Sequence, residues 1–203
     1  MLALLCLTVS SAWAQGPWTS GDCTLTLSNG TMTVSGNGAM ADYASEEDRP
    51  WHDYSSNITS LVVESGVTTI GSRAFFNFMA LTSVTLPEGL TAIGASAFGS
   101  CSSLQSITIP STVTSIGNYA FMKSKAISDV NLYANPDNLT WGNTSLDFKQ
   151  SKATQCHVLA EHLSTYQNKF SSANVTFVGD LKPLATSDVE VTTNAASKQD
   201  LFT

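Results

Sequence analysis

Apolar and polar residues alternate in short runs along the middle of this chain, and the runs return at a fixed step. Leu81, Leu104 and Ile127 open three successive units, with Ile58 opening an earlier one; 104 − 81 = 23 and 127 − 104 = 23. Ile70, Ile93 and Ile116 keep the same step, as do Gly71, Gly94 and Gly117. So do Ala74, Ala97 and Ala120, and Phe75, Phe98 and Phe121. Within a unit, Ser83-Val84-Thr85-Leu86 alternates with period two, which predicts a half-buried strand. Pro87 and Pro110 close that strand, because proline has no N–H for a ladder. A second short strand is predicted over residues 113–116, ending at Gly117. Glycine at that fixed position implies either φ > 0 or a close backbone approach. The following Ala-Phe pair is expected in a turn, with Phe filling the core and Ala letting coils approach. A period of 20 to 50 residues marks a repeat architecture, in which neighbours stack to bury an apolar face that no unit buries alone.

The motif Leu-x-x-Ile-x-Ile-Pro-x-x-Val-x-x-Ile-Gly-x-x-Ala-Phe, running from Leu104 to Phe121, resembles the BspA-like leucine-rich repeats of bacterial and protist surface proteins. Two units match it closely. The unit from Ile58 has Glu64 in place of the proline, and the unit from Ile127 keeps the pattern only through Leu132. The resemblance implies a repeat solenoid, a leucine-rich-repeat right-handed β/α superhelix dominated by β structure. An N-terminal β-hairpin cap and a C-terminal helix–strand cap are expected around it.

The flanks set the expected organisation. Residues 1–14 read as a secretory signal: a short apolar run ends in Ala12-Trp13-Ala14. The basic n-region is missing, so Met1 is read as an internal or misassigned start. The run is too short to span a bilayer, and Leu5 before Cys6 argues against lipid modification. Residues 15–57 are expected to form the N-terminal β cap, with a hairpin turning at Asn29-Gly30. The repeats occupy 58–133. Residues 134–180 form the C-terminal cap, with helical spacing over Val158, Leu159, Leu163, Tyr166 and Phe170 and a strand over residues 175–178. Residues 181–203 read as a linker or the start of a further module.

Composition narrows the function. Sixteen acids against nine bases give a net charge of −7, which suits neither nucleic acid nor an anionic membrane. Residues 42–53 hold five acids and one base, Arg49; a solvated loop is expected, since calcium-loop spacing is absent. Trp51 and Tyr54 beside it are expected to pack rather than to hold a sugar. Cleavage after Ala14 leaves Cys23, Cys101 and Cys156, an odd number, and no bridge is expected. Cys101 reads as a small buried hydrophobe. His52, His157 and His162 fit no hydrolase or zinc motif, and Cys156-His157, adjacent in sequence, are expected to diverge. No catalytic residue, cofactor or metal site is assigned. Five Asn-x-Ser/Thr sites would matter only in a eukaryotic secretory pathway.

The remaining candidate is the solvent side of the repeat strand. One row is Ser60, Ser83, Ser106 and Asp129; the next is Val62, Thr85, Thr108 and Asn131. Either these rows only keep the strands soluble, or they form a shallow platform for a protein or glycan. The resemblance implies a secreted or surface-bound, adhesin-like monomer without enzyme activity, binding a cell-surface or matrix partner. Two alternatives are a spacer in a larger surface protein and a glycan-holding module of an enzyme.

Overall fold

Each 23-residue unit becomes one coil with two short strands and a turn. The computed structural model describes residues 14–142, 154–171 and 175–184. Residues 1–13 of the proposed signal segment (residues 1–14) and the tail from residue 185 lie outside these. β1 (Gln15–Ser20), β2 (Cys23–Ser28) and β3 (Thr31–Gly36) are antiparallel neighbours. The β2–β3 turn holds Asn29 at φ 49° and Gly30 at φ 75°. Two successive positive φ values are what a two-residue hairpin of this twist requires. β3 also starts the parallel array, with β4 (Gly38–Ala39) following it.

The coils then repeat. β5 (Ser60–Val63) and β6 (Val67–Ile70) make one; β7 (Ser83–Thr85) and β8 (Ala92–Ile93) the next. β9 (Ser106–Ile109) with β10 (Ser115–Ile116), and β11 (Asp129–Leu132) with β12 (Thr140–Trp141), continue it. β13 (Thr154–Leu159), a 3-10 turn (Ala160–His162), α1 (Leu163–Lys169) and β14 (Val175–Leu181) close the described chain. The first strands form one wall in two hydrogen-bonded sets, β1-β2-β3-β5-β7 and β9-β11-β13-β14. The second strands form the opposite wall, β4-β6-β8-β10-β12. The turns are the third side and are also bonded between coils: Arg73 N–H donates to Ala95 O (2.9 Å), Phe75 to Ala97 (3.0 Å), Ser96 to Asn118 (2.9 Å) and Phe98 to Ala120 (2.8 Å). The fold is therefore a β-solenoid with backbone ladders on all three sides.

The core explains the repeated residue types. Phe75, Phe98 and Phe121 are fully buried and stack ring on ring at 5.7 Å and 5.8 Å. Trp51 continues the stack at 6.4 Å from Phe75 and donates its indole N–H to Ala74 O. Gly94 and Gly117 answer the question left by the sequence. Neither is at positive φ. A Cβ on Gly94 would lie 2.5 Å from Ser72 N, and one on Gly117 2.5 Å from Ala95 N. Close approach between coils excludes the side chain. The left-handed positions instead carry ordinary residues, Arg73, Ser96 and Tyr119, then Asn77, Ser100 and Lys123. The turn ladder holds these strained conformations in place.

The structure departs from the sequence reading in four places, the first being that the strand expected over residues 175–178 runs on through Gly179 to Leu181. Val113 and Thr114 lie outside the second strand, which covers only Ser115–Ile116; the Val113 N–H donates to Pro110 O in the preceding turn (3.3 Å). Leu90–Pro87 and Val67–Glu64 make the same bond, so the corner forms without proline too. Val158 and Leu159 belong to β13, not to a helix; Val158 continues the ladder beside Leu132, and α1 starts only at Leu163. Finally, residues 42–53 do more than face solvent. Arg49 is buried, and its Nη1 donates to the carbonyls of Arg73, Ala74 and Phe76, with its guanidinium 5.2 Å from the Phe78 ring.

Candidate binding face

Side chains of a strand alternate between faces, so the inward positions fix where the outward ones sit. Leu61, Ile107 and Val130 are buried, and the residues between them form the solvent face. Ser83, Thr85, Ser106, Thr108 and Asp129 are exposed; Ser60, Val62 and Asn131 are half-buried. The ladder aligns them as the repeat step requires. Ser60 pairs with Ser83 and Val62 with Thr85; Ser106 pairs with Asp129 and Thr108 with Asn131. Asn131 Nδ2 donates to Thr108 Oγ1 (3.3 Å). The ladder bonding changes sets between β7 and β9, so the two rows are joined there by packing of neighbouring coils rather than by a shared ladder.

The face extends beyond the eight residues that the period picks out. Thr31 and Thr33 on β3 align with Ser60 and Val62. At the other end Gln155 and His157 align with Asp129 and Asn131, and Thr176 and Val178 follow on β14. The steps here are irregular: 60 − 31 = 29, 155 − 129 = 26 and 176 − 155 = 21. A search at a step of 23 therefore misses them. The only sequence signal was local alternation in Gln155-Cys156-His157-Val158.

His157 carries the strongest electrostatics on this face. Its Nδ1 lies 2.8 Å from Asp180 Oδ1, and its Nε2 lies 3.5 Å from Asp129 Oδ1. The Asp180 hydrogen bond, helped by both carboxylate charges and opposed by partial burial, raises the His157 pKa above its ordinary value. The protonated ring thus bridges β11, β13 and β14. Cys156 beside it is fully buried, and burial pushes its thiol up to about 12. The two side chains lie on opposite sides of one strand and form no dyad. Cys101 is likewise buried, with its pKa raised to about 12 by burial; its Sγ lies 3.3 Å from Phe75 O. Ser124 holds the equivalent place one coil on and donates to Phe98 O (2.7 Å). Cys101 thus serves the core. Trp51 packs between Tyr43, Trp18 and Phe75, and Tyr54 packs on Trp18 at 5.3 Å. Among the described residues no group of three His, Cys, Asp or Glu is placed to hold a metal ion. No described helix is long and apolar enough to cross a membrane.

Comparison with known proteins gives the same architecture. The sequence family described as "BspA type Leucine rich repeat region" matches residues 52–176 in six copies, which is more than half of the 203 residues. A leucine-rich repeat protein from Eubacterium ventriosum is similar at 23% identity and a TM-score of 0.54, over 71% of this chain and 44% of that one. One from Bacteroides ovatus is 24% identical over 61% of this chain and 30% of its own, with a TM-score of 0.47. The pneumococcal vaccine antigen PcpA is 16% identical over 71% and 39%, with a TM-score of 0.49. The likeness to the Eubacterium protein is one of fold, and this chain spans less than half of its length. No curated protein matches the sequence.

Proposed function

Because the chain belongs to the BspA-type leucine-rich repeat family, we propose that it acts by binding and not by turnover, with the strand face as its contact surface. The observation that carries this is the aligned, solvent-facing set of mostly small polar side chains, in two ladders running from β3 to β7 and from β9 to β14. A rigid ladder presents such a surface with little ordering cost on binding. The partner is a protein or glycan of a cell surface or matrix. Nothing basic enough for nucleic acid stands on this face. The protein is secreted or displayed at the cell surface as a monomer; the apolar run before Ala12-Trp13-Ala14 supports export. The adhesin-like role rests on the family.

The test uses the purified protein against immobilised matrix proteins and surface glycans. Thr85→Asp with Thr108→Asp should abolish capture while the far-ultraviolet circular dichroism stays unchanged. Thr114→Asp, on the opposite wall, should leave capture intact. Capture that survives the Thr85/Thr108 pair moves the binding surface elsewhere. Hydrolysis that copurifies with the protein and depends on His157 would overturn the non-enzymatic reading.

A further inference from the structure

The turn side of the solenoid differs chemically from both strand walls. Residues 71–80, 94–103 and 117–126 contain no Asp or Glu, in a chain with sixteen acids and nine bases. They contain Arg73, Lys123 and Lys125, all exposed. Of the other described bases, Arg49 is buried, Lys169 donates to Pro136 O and Leu139 O, and Lys182 lies exposed just after β14. Arg73 donates to Tyr43 O (3.2 Å) rather than to a carboxylate. On the N-terminal side Asp42 accepts from Ser72 N–H, and Glu46 is paired with the buried Arg49 that donates to the Arg73, Ala74 and Phe76 carbonyls.

Exposed apolar side chains gather on the same side. Among the described residues three large hydrophobics are exposed, and two stand here, Met79 at 56% and Tyr119 at 44%. Coil register places them on different turns. The first turn carries Arg73, Phe76 and Met79; the third carries Tyr119, Lys123 and Lys125. The corresponding places on the middle turn hold Ser96, Gly99, Ser100 and Ser102. Long side chains therefore flank short ones, across two coil spacings of roughly 9–10 Å in all. Phe76 leans over the middle turn: a Cβ on Gly99 would lie 2.9 Å from its ring. The half-exposed ring gives the trough an aromatic floor.

We propose that this trough binds an extended acidic peptide segment that carries an apolar side chain, contributed by a partner protein. Arg73 on the first turn stands beside the acidic 42–53 loop, so the Lys123 and Lys125 wall of the third turn selects the charge. Exposed ion pairs contribute little each, so affinity must come from the apolar anchors Met79, Phe76 and Tyr119. Methionine suits such a surface because it adapts its shape to different side chains. The Arg73, Phe75 and Asn77 amides of the first turn and the Ser96, Phe98 and Ser100 amides of the middle one are committed to neighbouring coils, so the segment is held there through side chains and not by strand addition. This surface is separate from the strand face, and its test does not depend on that face.

The test is selection of random octapeptides displayed on phage against the intact protein, followed by titration of the enriched peptides as synthetic fluorescein conjugates. Enriched sequences should combine Asp or Glu with an aromatic or aliphatic residue. Binding should fall at least tenfold both in Lys123→Glu/Lys125→Glu and in Met79→Ser/Tyr119→Ser, and should not change in Thr85→Asp/Thr108→Asp. Neutral or basic consensus sequences, or no enrichment over the Lys123→Glu/Lys125→Glu protein, overturn the proposal. Chondroitin sulfate is the polyanion control. If it displaces the peptides fully and Met79→Ser/Tyr119→Ser has no effect, the trough is an unspecific anion surface and the proposal fails.

Discussion

Truncating Phe98 to alanine tests the core through its most repeated contact. The ring is fully buried and stacked between Phe75 at 5.7 Å and Phe121 at 5.8 Å. Removing a buried Phe side chain costs about 3–5 kcal/mol, with the spread set by how far the site collapses. Collapse is restricted here. Phe98 N–H donates to Ala120 O, Phe75 N–H donates to Ala97 O, and Gly94 already packs against Ser72 N at the closest approach the backbone allows. Two aromatic contacts are lost together, each contributing about 0.5–1.5 kcal/mol beyond area burial. The cost should therefore fall near the upper end, at about 4–5 kcal/mol. At roughly 2–4 °C per kcal/mol for a chain of this size, the melting temperature should drop by about 8–20 °C. Ser83→Ala, on the exposed strand face, should change stability by less than about 0.5 kcal/mol. Urea unfolding followed by circular dichroism gives both numbers on one scale. Similar losses in the two variants, or a Phe98→Ala loss under about 1 kcal/mol, would refute the aromatic stack as the core of the array.

Gly94→Ala should destabilise strongly or yield insoluble protein, since its Cβ meets backbone 2.5 Å away, whereas Gly89→Ala, with open space but φ 100°, should cost only about 1–3 kcal/mol of backbone strain; the reverse order in thermal melts contradicts the close-approach reading. His157 has a folded pKa above its unfolded value of about 6.5, so its bridge to Asp180 and Asp129 stabilises fully below about pH 6.5 and is lost as pH rises through the raised value. The melting-temperature gap between the wild type and His157→Asn should thus be widest near pH ~6 and close on going alkaline; a gap that widens with pH reverses the sign. Cys23, Cys101 and Cys156 are buried and free, and burial raises all three pKa values. Iodoacetamide at about pH 8 should leave these three unmodified in native protein and label them after denaturation, as read by peptide mass spectrometry.

The central coils were legible because their physics is periodic. A recurring Phe implies a stacked core, and Leu-x-x-Ile-x-Ile implies one inward face, so the solenoid followed from spacing alone. The Asn29-Gly30 hairpin was legible for a local reason, since few dipeptides accept two positive φ values. Where the step changes, the signal fails. The β11–β13 and β13–β14 offsets of 26 and 21 hid His157 and Asp180 from the face, and apolar spacing in Val158-Leu159 imitated a helix start. Arg49 was misjudged because only its local partner Glu46 is visible in the sequence; the carbonyls that bury it lie 24 to 27 residues away. Gly94 could not be resolved between turn and close approach without knowing the distance between coils.

Photocross-linking tests the binding account most directly. A benzophenone side chain is placed at Thr85 on the strand face, or at Thr114, which is exposed next to β10 on the opposite wall. Each protein is irradiated with the matrix or surface partner it captures. The account predicts a covalent adduct from position 85 and none from position 114. An adduct from position 114 with none from position 85 would contradict the assignment of the strand face as the contact surface.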